Sequence, residues 1–140
     1  ALSAATNPEV GKPGFLLKED ENEYGVGIHS EPGYRREKIK PSKELVEELI
    51  GKLNDEMNLD GNKKYACLIN GMGATPLMEQ YVFANDVLNK LEEFNIKPSF
   101  MKVGNYMTSI DMAGISLTLF EIKEDKWLDY LNYPVQTIAW

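Results

Sequence analysis

The chain has 140 residues, with 15 Lys or Arg against 22 Asp or Glu, a formal net charge of −7. Hydrophobic residues make up 43%, which excludes a disordered chain and allows one domain its own core. The acidic balance argues against nucleic acid and anionic membrane as partners, since both select a basic footprint.

One cysteine, Cys67, excludes an internal disulfide framework, and one histidine, His29, makes a His-based metal site implausible. No apolar run approaches the roughly 18 residues of a membrane span, and the amino end lacks a basic region followed by an apolar stretch. A reducing, cytoplasmic setting is therefore expected.

In chain order, Ala1 to Thr6 reads as a strand end or edge segment, and Asn7 to Gly14 as turns set by Pro8, Gly11, Pro13 and Gly14. Lys18 to Glu23 reads as a solvated turn. Tyr24 to Ile28 alternates large residues with Gly25 and Gly27, which predicts a strand with one glycine face. Tyr34 to Lys40 is basic and reads as exposed. A helix is predicted over 43–57, capped by Ser42, with Leu45, Val46, Leu49, Ile50, Leu53 and Met57 as its apolar stripe.

Tyr65 to Asn70 is a short apolar run suited to a buried strand. It leads into Gly71 to Pro76, where Thr75 is the expected N-cap and Pro76 the first helical residue. The following helix is expected to reach about Phe94 and to bury Leu77, Met78, Tyr81, Val82, Leu88 and Leu91. Further strands are predicted over 99–103 and 115–121, then a short helix over 124–131 and an extended tail. Strand, loop, helix and strand in this order is an α/β grammar. Trp127 and Trp140 are expected to close the core edge or an interface.

His29 is the most informative position. It stands between a glycine-spaced segment and the Glu31-Pro32-Gly33 turn, and a neutral imidazole can act as base, ligand or nucleophile. Glu31, two residues on, would hold one ring N–H and fix the tautomer, while Gly27 leaves room beside the backbone. The competing reading is a surface histidine in a turn. Gly71 to Pro76 has the geometry of an anion cradle, but lacks the endings of a nucleotide motif, so a tight packing turn is the preferred reading. Asn105 to Asp111 collects amide, hydroxyl and carboxylate groups that would bind a polyol or satisfy the loop's own backbone, and the second is preferred. Cys67 reads as a small core residue.

Three stretches together carry a resemblance. They are Gly25-Val26-Gly27-Ile28-His29-Ser30-Glu31-Pro32-Gly33, Asn70-Gly71-Met72-Gly73-Ala74-Thr75-Pro76-Leu77, and Val103 through Gly114. In this order, and with Pro8 to Gly14, the chain resembles the substrate-binding K subunit of the dihydroxyacetone kinase family, in its bacterial, phosphotransferase-system-linked type. The resemblance covers essentially the whole chain but only the carboxy-terminal portion of the subunit.

It implies a mixed β-sheet flanked by helices, in one domain over residues 1–140. It also implies that His29 holds dihydroxyacetone as a covalent hemiaminal, with Gly27 and Glu31 as neighbours. The phosphoryl donor, ADP or ATP with magnesium, would sit on a separate L subunit, so no cofactor or metal is expected on this chain. A homodimer is implied as well. The glycine-rich loop, base histidine and aspartate would come from an amino-terminal portion of the same subunit, so the chain alone is expected not to turn over substrate. K-like paralogues that sense dihydroxyacetone and coactivate a transcription regulator are the alternative within this resemblance.

Overall fold

Two proline-led helices and a three-stranded sheet organise the molecule. The computed structural model describes residues 1–29 and 31–140; Ser30 of the histidine motif lies outside the described residues. The elements are β1 (Thr6–Asn7), β2 (Lys12–Pro13), β3 (Glu21–Tyr24), β4 (Arg35–Lys38), α1 (Ser42–Met57), β5 (Lys64–Gly71), α2 (Leu77–Glu92), β6 (Phe100–Gly104), β7 (Ile115–Ile122) and α3 (Lys126–Asn132).

β5 is the central strand, parallel to β6 on one side and antiparallel to β7 on the other. The sheet is thus mixed and flanked by helices, as the resemblance implies. Its core joins Tyr65, Cys67 and Ile69 of β5 to Val46 and Ile50 of α1 and to Phe83, Val87 and Leu91 of α2. The predicted stripe of α1 faces this core, with Leu45, Leu49, Leu53 and Met57 packed against it. Burial pushes the Cys67 thiol up to about 12, which fits a packing role.

Both predicted caps are displaced by one residue. Pro41 and Pro76 occupy the cap positions with ψ near 145°, and neither helix has a side-chain cap. A proline is biased toward the extended backbone that precedes a first turn, and its missing N–H costs nothing there. Thr75 instead donates its hydroxyl to the Gly114 carbonyl at 2.6 Å, and the Ser42 hydroxyl is buried without a partner.

The largest correction concerns α2. Leu77, Met78, Tyr81, Val82 and Leu88, expected in the core, are exposed, and the interior face is Gln80, Phe83, Ala84, Val87 and Leu91. The helix is apolar on two faces, so its periodicity does not identify the inner one. Gln80 is admitted because its side-chain amide donates to the Thr75 carbonyl at 2.9 Å and to Asn105 Oδ1 at 2.8 Å.

Two polar segments, one read as a solvated turn and the other as an exposed basic stretch, are strands, and the second is exposed as expected. Residues 21–24 pair antiparallel with residues 35–38, setting Glu23 opposite Arg36 and Tyr24 opposite Arg35. The buried Glu23 carboxylate accepts from Arg36 Nε at 2.9 Å and from the Gly33 N–H at 2.8 Å, which compensates its desolvation. The predicted strand over 24–28 therefore ends at Tyr24, and the rest becomes the hairpin loop. The tryptophans cover the sheet edges. Trp140 stacks on Phe100 of β6 at 6.0 Å, and Trp127 packs on Phe120 of β7 at 5.5 Å.

Candidate functional site

Residues 25–29 and 31–33 lie in the loop of the β3–β4 hairpin, closed at its base by the Tyr34 N–H donating to the Tyr24 carbonyl at 2.9 Å. His29 sits at the tip, with its side chain 81% exposed. Glu31 grips it twice. Its Oε2 accepts the His29 backbone N–H at 3.1 Å, and its Oε1 lies 3.2 Å from His29 Nδ1.

The Glu31 carboxyl is held below its ordinary range, first by its own backbone N–H and then by the contacts with His29. An ionised carboxylate only accepts, so Nδ1 carries the hydrogen, and in the neutral ring Nε2 is then the nitrogen with the lone pair. Gly27 makes this grip possible. A Cβ there would lie 1.9 Å from Glu31 Oε2, and the Gly27 N–H donates to the Glu31 carbonyl at 3.2 Å. The three predicted residues are thus together in one loop.

His29 lines an open cleft of about 760 Å³, walled by Thr6, Asn7 and Glu9 of the first hairpin and by Thr108, Ser109 and Ile110. The two loops singled out in the sequence meet behind it. Gly73 bridges to Met112, the Ser109 N–H donates to the Met72 carbonyl at 2.8 Å, and the Ala74 N–H donates to the Met112 carbonyl at 3.1 Å. The Met72 N–H is likewise spent on the Gly114 carbonyl, at 3.0 Å.

The side chains of Asn105, Tyr106, Ser109 and Asp111 in the loop over 105–111 bond to the fold. Asp111 accepts the Thr6 N–H at 2.7 Å and the Thr6 hydroxyl at 2.6 Å. Asn70 was missed as more than a strand residue. Its Oδ1 accepts the N–H groups of Tyr106 and Met107 at 2.8 and 2.9 Å, and its Nδ2 donates to the Met107 carbonyl at 2.8 Å. A buried amide closing an apolar strand was the available signal, because such a group must find backbone partners.

Among the described residues, no group of three or more His, Cys, Asp or Glu side chains is placed to hold a metal ion, and no helix is long and apolar enough to cross a membrane.

The Dak1 domain model matches residues 1–139. The dihydroxyacetone-binding subunit DhaK of a PTS-dependent dihydroxyacetone kinase from Lactococcus lactis is 64% identical over all 140 residues, which cover 42% of its length. The DhaKLM operon coactivator DhaQ of the same species is 52% identical over 92% of this chain and 40% of its own. A solved structure of a dihydroxyacetone kinase operon co-activator superposes with a TM-score of 0.89 at 50% identity, over 96% of this chain and 42% of that one. The dihydroxyacetone kinase of C. freundii shares the fold, with a TM-score of 0.73 at 24% identity over 94% of this chain and 24% of its own. The chain therefore spans well under half the length of the relatives it matches.

Proposed function

Because this chain belongs to the Dak1 domain family, we propose that it is the histidine-bearing portion of a dihydroxyacetone-binding subunit, in which His29 captures the substrate covalently. Nε2 adds to the carbonyl carbon of dihydroxyacetone. The carbonyl π pair moves to oxygen, which takes a proton from solvent, and the ring releases its Nδ1 proton to solvent as the hemiaminal becomes neutral. No atom is lost, so the step is a reversible addition. Glu31, a weak base at its lowered pKa, orients the ring and stabilises the imidazolium character that develops during attack.

The observation that carries this reading is the Glu31 grip on Nδ1, which leaves Nε2 open on the cleft. Capture by bond formation also selects for a carbonyl. Glycerol offers the same hydroxyls and no electrophilic carbon, whereas hydroxyl contacts alone discriminate poorly among small polyols. The adduct fixes a terminal hydroxyl for phosphorylation, an orientation effect.

In this reading ADP or ATP with magnesium sits on a separate L subunit, and this chain binds no cofactor or metal. A homodimer completes the assembly, which works in the cytoplasm. The base histidine and aspartate come from an amino-terminal portion of the same subunit, so residues 1–140 act as one domain that does not turn over substrate alone. Intact-mass spectrometry with dihydroxyacetone tests the capture. One substrate mass is gained, and His29→Ala or His29→Asn abolishes the gain; an adduct surviving both substitutions removes His29 from this role.

A second reading, a dihydroxyacetone sensor that coactivates a transcription regulator, is favoured by the co-activator's TM-score of 0.89 at 50% identity. Both readings use the same capture step. Retention on a nucleotide-loaded L subunit supports the kinase, and its absence supports the sensor.

A further inference from the structure

We propose that Ser109 is a positioning residue for His29, acting through the peptide that precedes it. This inference rests on His29 being the capturing group. The Ser109 hydroxyl donates to the Ile28 carbonyl at 2.5 Å, across 81 residues of sequence. Among the described residues it is the only hydrogen bond joining residues 25–33 to anything outside the β3–β4 hairpin. Without it the histidine loop is held beyond its own hairpin only where Val26 packs on Ala5, Met72 and Met112, and Glu31 holds the ring relative to the loop rather than to the cleft.

Ser109 can serve as this anchor because it is itself fixed. It is 6% exposed, its N–H donates to the Met72 carbonyl at 2.8 Å, and its carbonyl accepts the Met112 N–H at 2.9 Å. The next residue, Ile110, adopts a φ of 52°, a left-handed backbone that a β-branched side chain resists. Such a conformation persists only where its surroundings over-determine it, and such sites cluster where geometry serves function. Two neighbours impose it here. Asp111 clasps Thr6 through both carboxylate oxygens, and Gly73 lies so close that a Cβ there would sit 2.1 Å from the Ile110 carbonyl oxygen. The strained turn thus aims one hydroxyl at the peptide bond entering His29, and its other side forms the cleft wall facing the imidazole.

The sequence holds one histidine, so selective ¹⁵N-histidine labelling of the chain gives a single imidazole to follow. In Ser109→Ala the ligand-free His29 amide is expected to lose order on the ps–ns scale, while Glu31 keeps the ring tautomer unchanged. Ser109→Thr, which keeps the hydroxyl, is expected to restore that order. The dihydroxyacetone dissociation constant should rise about three- to tenfold in Ser109→Ala, the range of one net hydrogen bond, and return in Ser109→Thr. Ser109→Cys, close in size with a weak donor, should fall between them and covers the case in which the alanine variant unfolds.

An unchanged order of the His29 amide in folded Ser109→Ala or Ser109→Cys overturns the inference. So does a binding loss that Ser109→Thr does not restore while its fold is intact. A wild-type chain that gains no adduct overturns the capture reading instead, because the ligand-free spectra still report whether Ser109 orders His29.

Discussion

Replacing Asn70 by alanine tests whether the end of β5 holds the cleft together. Asn70 is 4% exposed, and its side chain makes three hydrogen bonds of 2.8 to 2.9 Å to the backbone of Tyr106 and Met107. The substitution leaves two N–H groups and one carbonyl without these partners. At about 1 kcal/mol per net bond, the loss is about 3 kcal/mol, with more if water cannot reach the orphaned groups. For a domain of this size that corresponds to a thermal midpoint lowered by roughly 10 °C. Asn70→Asp keeps both acceptor contacts but turns an acceptor toward the Met107 carbonyl, so it should lose less than alanine and more than nothing. Urea denaturation followed by far-UV circular dichroism measures both variants, with the slope expected to match the wild type. A loss below about 1 kcal/mol for Asn70→Ala, or an aspartate variant as stable as the wild type, would refute the reasoning.

Two further outcomes follow from the geometry around His29. Gly27→Ala places a methyl group where the Glu31 carboxylate now lies, so the chain should keep its stability while the adduct yield falls several-fold; undiminished capture by this variant would contradict the grip. The Thr6 hydroxyl and N–H hold the Asp111 carboxyl below its ordinary range. Because the folded pKa lies below the unfolded one, this clasp stabilises the chain above the unfolded value, and the contribution disappears as pH falls through the folded value. Urea midpoints taken from about pH 6 down to about pH 2 should therefore fall less steeply in Asp111→Asn than in the wild type, and equal slopes would show that the clasp contributes nothing.

The sequence displayed its sheet and α1 well because their signals are local. Tyr65 to Ile69 is apolar without interruption, and Val46, Leu49, Ile50 and Leu53 recur at helical spacing toward one neighbour. The β3–β4 hairpin was hidden because Glu23 and Arg36 satisfy each other only across strands, a pairing invisible along the chain. α2 misled for the opposite reason, since both of its faces are apolar and tertiary packing alone chooses between them. At the site, His29, Gly27 and Glu31 fall within five residues and were legible together. Ser109, Asn70 and the Thr6–Asp111 clasp join residues 36 to 105 positions apart, and no periodicity reports such contacts.

The outer face of α2 gives the net charge of −7 a second meaning. Leu77, Met78, Tyr81 and Val82 present thioether, aromatic and branched carbon to water on consecutive turns, Met78 being 79% exposed. In the chain by itself such a patch attracts its like, and mutual repulsion between acidic copies opposes that attraction. The repulsion reaches about 30 Å at 0.01 M salt and only about 3 Å at 1 M, whereas the apolar attraction is not screened. Salt thus acts on this chain as a colloidal control, with dilute buffers keeping copies apart and concentrated ones letting the helices meet.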